Sequence, residues 1–317
     1  MKNLLAILTL LAGLLAGVTP AGAATIGEVT GFGSNPGNLR MFRYLPDGLP
    51  AGRPVVVALH GCTQLAASYG TNAGWIELAQ RFRFAVLLPE QQPANNASRC
   101  FNWFQLGDIT RGQGEAESLA QMVRRMLADT AADPARVAVT GLSAGGAMTS
   151  VMLATYPELF ASGGIVAALP YRCATTMIEA FSCLNPGKDL TPAQWGDRVR
   201  AASSYTGPRP TVSIWHGTAD FTVVAANQRE LVDQWTNVHG ISPTPTGTNT
   251  VAGYPHAVYR TASKRTVVET YSITGMGHGQ PVDPGTADGQ CGHTAAFMLD
   301  VNSCAAWWLA ATWRLDG

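Results

Sequence analysis

Apolar positions along this 317-residue chain come in two textures. One is the short unbroken run rich in β-branched residues: 54–59 (PVVVAL), 84–88 (FAVLL), 137–139 (VAV), 163–168 (GGIVAA), 211–215 (TVSIW) and 266–273 (TVVETYSI). Runs of this length without polar alternation suit strands buried on both faces of a parallel sheet. The other texture has the helical period. Within 115–128, Leu119, Met122, Val123, Met126 and Leu127 gather on one side; 75–81 and 227–239 read as helices too. After residue 143 the pairs Ala147-Met148 and Val151-Met152 recur at helical spacing. The two textures alternate through most of the chain. With right-handed crossovers, that order predicts an α/β fold in which helices cover a mostly parallel central sheet. Around this frame, 31–33 and 39–44 alternate enough for an edge hairpin, and 91–103 reads as a long loop. The stretch 169–205 reads as a small inserted cap of mixed polarity, and the Gly/Thr/Pro-rich stretch 241–253 as a surface loop.

The N-terminus breaks the pattern. Lys2, an apolar core over 4–18 and the small-residue end Ala21-Gly22-Ala23 predict a secretory signal peptide, residues 1–23, cut after Ala23. The apolar core is shorter than the roughly 20 residues a spanning helix needs, and Pro20 follows it at once. Residues 24–317 are enough for a single large α/β domain. The balance of 21 Lys+Arg against 21 Asp+Glu, with 13% of residues charged, offers nothing to nucleic acid or an anionic membrane. All six cysteines follow the signal, which in an exported chain suggests disulfides. Cys173–Cys183 and Cys291–Cys304 are close in sequence. Cys62 and Cys100 then remain, on loops after neighbouring strands, and are expected to pair. No C-x-x-C or H-E-x-x-H spacing points to a metal site, and no cofactor is expected.

Chemistry enters at Gly141-Leu142-Ser143-Ala144-Gly145, where a buried strand turns into a helix. This context predicts a nucleophile elbow, with the Ser143 hydroxyl pushed out over the C-terminal edge of the sheet. A serine nucleophile needs a base, and the base needs an acid that fixes its tautomer. Asp220, just past the strand over 211–215, and His278, just past the final strand in a glycine-flanked loop, supply them in the order this fold uses. Asp197, Asp233, Asp283 and Asp288 do not directly follow a β-branched strand and read as surface or turn residues. Among His216, His239, His256 and His293, only His293 also lies beyond the last strand, and it is farther from it. The His60-Gly61 turn after the strand over 54–59 is where this class of enzyme places one oxyanion-hole N–H, here that of Cys62. His60 itself is assigned a structural role.

Taken together, LHGCTQ (59–64), RCFNWF (99–104), RGQGEAESLAQMV (111–123), GLSAGGAM (141–148) and GMGHGQPVDPG (275–285) resemble the polyhydroxybutyrate depolymerase family of esterases. That family is similar to the feruloyl and acetylxylan esterases of the same α/β-hydrolase superfamily. The resemblance covers nearly all of the chain after the signal. It implies an α/β-hydrolase fold, Ser143, Asp220 and His278 as a catalytic triad, and the backbone N–H groups of Cys62 and Ala144 as oxyanion hole. It further implies a secreted serine esterase that cleaves short-chain 3-hydroxyalkanoate polyester or oligomer bonds, the alternative being release of ferulate or acetate from xylan. Trp103 and Phe104 are expected to offer apolar area to the acyl chain or polymer. The chain ends at Gly317 without the linker and substrate-binding domain that many family members append, so little clearing of crystalline polymer is expected. The expected partner is the ester substrate alone, without nucleic acid or membrane. No pattern assigns an oligomeric state or explains the tail from Asn302 onward.

Overall fold

The structure is a computed structural model that describes residues 25–315. The expected signal segment, 1–23, lies outside them. Ten strands form one sheet: β1 (Gly27–Val29), β2 (Arg40–Tyr44), β3 (Val55–Leu59), β4 (Ala85–Glu90), β5 (Val137–Leu142), β6 (Ser162–Val166), β7 (Thr211–Gly217), β8 (Gly247–Val251), β9 (Tyr254–Arg260) and β10 (Thr266–Ile273). The central six, in the order β4-β3-β5-β6-β7-β10, run parallel. Antiparallel β2 and β1 extend one edge, and antiparallel β9 and β8 the other. Every expected central strand is present, and all six end on one side, where their following loops converge.

The unbroken apolar runs are explained by burial on both faces. Val55, Val57 and Leu59 of β3 point into one core, with α3 (Gly114–Thr130), α4 (Ala144–Thr155), α6 (Pro192–Arg200) and α7 (Ala226–Val238). Val56 and Ala58 point into the other, with α1 (Ala66–Asn72), α2 (Trp75–Phe82) and α8 (Ala305–Thr312). The period of two along a strand separates the sets. β6 lets helices approach from both sides. A Cβ on Gly163 would run into Leu153 of α4, and one on Gly164 would lie 2.8 Å from Leu309 Cδ1 of α8. Either substitution would displace a helix.

Two expectations need correction. The stretch 241–253 is not wholly loop, because β8 occupies its second half and pairs with β9. Thr248, Asn249 and Thr250 are exposed on this outermost strand, so it carries no apolar alternation. The edge hairpin exists, but its first strand is Gly27–Val29, and 31–33 lie in the bend that follows. The tail from Asn302, to which no pattern was assigned, holds a helix among its described residues. α8 is rich in Ala and Trp, buries Ala305, Ala306, Leu309 and Ala310, and is followed by Trp313, stacked on Trp75 at 5.9 Å.

The expected insertion at 169–205 contains α5 (Met177–Leu184) and α6. α6 starts at a capping box between Thr191 and Gln194. It is held to α7 by Trp195 Nε1, which donates to the buried carboxylate of Glu230 at 2.7 Å. The six cysteines form the three expected pairs, Cys62–Cys100, Cys173–Cys183 and Cys291–Cys304. The first joins the loops after β3 and β4, the second closes the start of the cap, and the third secures α8.

Candidate active site

Ser143 stands between β5 and α4 with φ 57° and ψ −118°, a backbone conformation costly for a residue with a Cβ, on the order of 1–3 kcal/mol. Its surroundings hold it there. Ser143 N–H donates to Val166 O at 2.9 Å, and a Cβ on Gly145 would lie 2.6 Å from His60 O, so only glycine lets the elbow seat against the end of β3. The turn presents the Ser143 hydroxyl at the C-terminal edge of the sheet. There Ser143 Oγ lies 2.9 Å from His278 Nε2, and His278 Nδ1 lies 2.7 Å from Asp220 Oδ2. Three residues separated by up to 135 positions thus form one hydrogen-bonded chain.

Local bonding fixes the direction of that chain. Asp220 is buried, and its Oδ1 accepts the backbone N–H groups of Thr222 and Val223, each at 2.9 Å, which leaves Oδ2 aimed at the imidazole. A carboxylate there requires the His278 proton on Nδ1, so Nε2 is the acceptor for the serine hydroxyl. The acid and histidine loops are also joined: Ala219 N–H donates to Met276 O at 3.0 Å, and Gly275 N–H to Thr218 Oγ1 at 2.9 Å. His293, the sequence competitor for the base, is exposed and near α1, where its N–H donates to Asn72 O. His239 is bonded to Pro210 O, and His256 lies between Asn249 and Glu269 at the β9 edge, so neither reaches Ser143.

A cavity of about 570 Å³ opens over Ser143 and His278. Cys62 and Ala144 line it beside the serine, and among the described residues their backbone N–H groups make no hydrogen bond. Trp103 and Phe104, packed edge to face at 5.4 Å, form one wall. Further apolar lining comes from Leu169 and from Met177, Ala180, Phe181 and Leu184 of the cap. Among the described residues no cluster of three or more His, Cys, Asp or Glu is placed to hold a metal ion, and no helix is long and apolar enough to cross a membrane.

The description "Esterase PHB depolymerase" belongs to the family model that matches residues 39–253, a span that contains Ser143 and Asp220. The chain belongs to this family of esterases. Poly(3-hydroxyalkanoate) depolymerase C of Paucimonas lemoignei is 54% identical over 301 residues, covering 95% of this chain and 72% of the relative. An acetylxylan esterase of Coprinopsis cinerea is 38% identical over 83% of this chain and 70% of its own length. Among solved structures, an acetyl xylan esterase from Aspergillus awamori superposes with a TM-score of 0.73 at 30% identity, covering 80% of this chain and 94% of that one. The fold is that of the α/β-hydrolases.

Sequence reasoning about this PHB depolymerase-family esterase missed a second layer behind the site. His216, at the end of β7, is buried and donates from Nε2 to Val223 O at 2.8 Å, 3.5 Å from Asp220 Oδ2. Burial lowers its pKa, which keeps it neutral beneath the acid. Glu115, at the start of α3, is fully buried. Its Oε2 accepts Asn102 N–H at 2.8 Å and its Oε1 accepts from Gln91 Nε2, which also donates to Cys100 O at 3.0 Å. Burial, helped by nearby Asp108, pushes the Glu115 carboxyl up to about 8. The loop that carries Cys100, Trp103 and Phe104 is therefore pinned from below. The only sequence signal is the RGQGEAESL segment itself, in which Glu115 stands in the first turn of a helix, a position where a solvated acid is equally at home.

Proposed function

We propose that this chain is an exported serine esterase that hydrolyses short-chain 3-hydroxyalkanoate ester bonds, in polyester or its oligomers, through an acyl-enzyme on Ser143. The observation that carries the reading is the Asp220–His278–Ser143 hydrogen-bonded chain at the floor of an apolar cavity. In the first half-reaction Ser143 Oγ attacks the ester carbonyl carbon while His278 Nε2 takes the hydroxyl proton. The N–H groups of Cys62 and Ala144 receive the developing oxyanion; each such donor contributes about 2.7–4 kcal/mol of barrier lowering. The alkoxide leaves as an alcohol with the proton from His278, and water repeats the sequence to release the acid and restore Ser143.

Two features support a polyester substrate over a sugar ester. The identity of 54% to the poly(3-hydroxyalkanoate) depolymerase exceeds the 38% to the acetylxylan esterase. The cavity mouth is also rimmed by apolar side chains left in solvent, with Met177 50%, Phe181 66% and Phe297 43% exposed. Ile178 and Phe221, each 82% exposed, continue this apolar character on α5 and beside Asp220. Apolar exposure of this size around a cleft suits a water-poor polymer surface better than a hydrated polysaccharide. Export is supported by the three disulfides, which persist in oxidising compartments. The test compares kcat/KM on a 3-hydroxybutyrate oligomer, methyl ferulate and acetylated xylan. The oligomer is expected to be preferred, and a clear preference for either of the others overturns the polyester reading while leaving the serine mechanism in place.

A further inference from the structure

A turn near the C-terminus is closed by Met298 N–H, which donates to Ala295 O at 2.9 Å, with Ala296 and Phe297 as its central pair. Phe297 has φ 62°, a positive value that Ala296 does not share. Turn chemistry gives that second central position to glycine, because a Cβ there is strained. A phenylalanine thus holds a backbone conformation that costs on the order of 1–3 kcal/mol. Core burial does not offset the cost, since the residue is 43% exposed. Its ring instead packs edge to face on the imidazole of His278, with centroids 6.2 Å apart, and lines the cavity.

The backbone ties this turn to the loop of the base. β11 (Gln280–Val282), just after His278, pairs in parallel with β12 (Met298–Asp300), just after Phe297. Gln280 N–H donates to Phe297 O at 2.8 Å. A Cβ on Gly279 would stand 2.9 Å from that same oxygen, so only glycine lets the two loops approach this closely. The Cys291–Cys304 disulfide closes the segment that carries the turn. Imidazole and phenyl ring are therefore held as one unit.

Proton transfer decides which half of a substrate meets that ring. His278 Nε2 hands its proton to the leaving oxygen, which must come to about 2.6–3.2 Å from it. The carbonyl oxygen is directed to the N–H groups beside Ser143, whereas the chain on the leaving oxygen starts at the imidazole. A ring packed on the imidazole and open to the cavity faces this alcohol half. In the second half-reaction water takes the vacated place. An alcohol there instead bonds its oxygen to the acyl carbon and gives its proton to His278. The bond from the acyl carbon to Ser143 Oγ then breaks, Oγ takes the proton back, and a new ester leaves.

We propose that Phe297 is the specificity-determining contact for the alcohol half of the ester, and that it selects between water and a second alcohol at the acyl-enzyme. The proposal rests on the Ser143–His278 mechanism given above and not on the polyester substrate. For a polyester, the group held there is the unit that leaves through its 3-hydroxyl. Phe297→Gly removes the ring and the backbone strain together, and Phe297→Leu keeps apolar bulk. Two substrate series are compared: butyrates of straight-chain alcohols from ethanol to hexanol, and p-nitrophenyl esters of increasing acyl length.

In the wild type, kcat/KM should rise about two- to fourfold per methylene added to the alcohol. The rise should vanish in Phe297→Gly and largely survive in Phe297→Leu, while the acyl-length profile keeps its shape in both. With p-nitrophenyl butyrate and added 1-butanol, the ratio of butyl butyrate to butyric acid should fall about tenfold in Phe297→Gly, as loss of a partly buried butyl chain implies. Melting temperature should change little, because relief of strain offsets the added freedom of the unfolded chain. An unchanged alcohol profile, a loss on the acyl series instead, or an unchanged product ratio overturns the proposal. Loss of both profiles with a falling melting temperature also overturns it, because the ring is then a support alone. Should Phe297→Gly fail to fold, Phe297→Asn, which also suits a left-handed φ, carries the same expectations. Labelling of Ser143 by a fluorophosphonate separates the outcomes. If labelling persists but the alcohol profile is unchanged, only the role of Phe297 fails; if Ser143 is never labelled, the serine mechanism fails with it.

Discussion

The floor and the rim of the cavity are built by opposite means. On the floor, Ser143, His278 and Asp220 sit on loops leaving β5, β10 and β7, and nearly every polar atom has a partner. Asp220 alone accepts two backbone N–H groups besides the imidazole. At the rim, α5 buries only Ala180 and Cys183, and leaves Met177, Ile178 and Phe181 largely in water. Among the described residues its ties are few: the Cys173–Cys183 disulfide, Val224 N–H donating to Leu184 O at 3.0 Å, Asn227 Nδ2 donating to Cys183 O, and Asn185 Nδ2 donating to Phe221 O. Directional hydrogen bonds fix atoms to within fractions of an ångström, which bond-making requires. Apolar area asks only for rough fit, which suits a ligand of variable length. The floor should therefore govern kcat and the rim KM.

The comparison breaks most visibly at the floor. Asp220→Asn should lower kcat by roughly 10⁴-fold with little change in KM, because an amide can no longer hold the Nδ1–H tautomer of His278. His278→Ala should lose at least as much, whereas His293→Ala should keep full turnover; steady-state kinetics on a soluble ester checks all three. Next in size is the brace between the loops. Replacing Cys62 and Cys100 by Ser together should reduce kcat by about 10–100-fold, by loosening one oxyanion donor without removing it. Circular dichroism should show the folded spectrum retained; a variant that loses activity only as it unfolds would contradict this assignment.

Rim substitutions should act differently. Phe181→Ser or Met177→Ser should raise KM for an oligomeric ester by about 3–10-fold at unchanged kcat, since burying such a side chain against substrate contributes about 1.5–3 kcal/mol when complete and less at a half-open mouth. A fall in kcat at constant KM would erase the distinction drawn here. The smallest effect concerns the support beneath the Trp103 wall. The folded-state pKa of Glu115 is raised from 4.5 to about 8, so its folded form holds a proton that the unfolded chain releases between those values. Its contribution to stability is thus complete below pH 4.5 and declines as pH rises through about 8. Thermal melts across pH 5–8.5 should show Glu115→Gln losing less melting temperature over this interval than wild type, and parallel curves would contradict the assignment.

Most of the floor was legible in the sequence, because each of its parts is anchored to a local pattern. Buried strands announce themselves as β-branched runs, and Ser143, Asp220 and His278 each sit just beyond one. The rim was legible only as an interruption. Residues 169–205 break the strand–helix rhythm, but which of their apolar side chains face a cavity depends on how α6 docks on α7, through Trp195 and Glu230. β8 and α8 were missed for related reasons. The first is an edge strand with polar exposed side chains, and the second is apolar around most of its circumference, so neither shows the one-sided periodicity that identifies an element. The Glu115 support escaped notice because a buried, protonated carboxyl group and a solvated first-turn glutamate are the same letter.

The central claim is that Ser143 becomes acylated and that nothing else in the cavity can replace it. It is tested most directly by rapid acid quench of the enzyme with a slowly deacylating p-nitrophenyl ester, followed by intact mass and peptide mapping. A burst of one nitrophenolate per active site is predicted, with one acyl group added to the peptide containing Ser143, and no burst, adduct or turnover in Ser143→Ala. An adduct on any other residue, or turnover by Ser143→Ala above a preparation lacking the enzyme, would contradict the account.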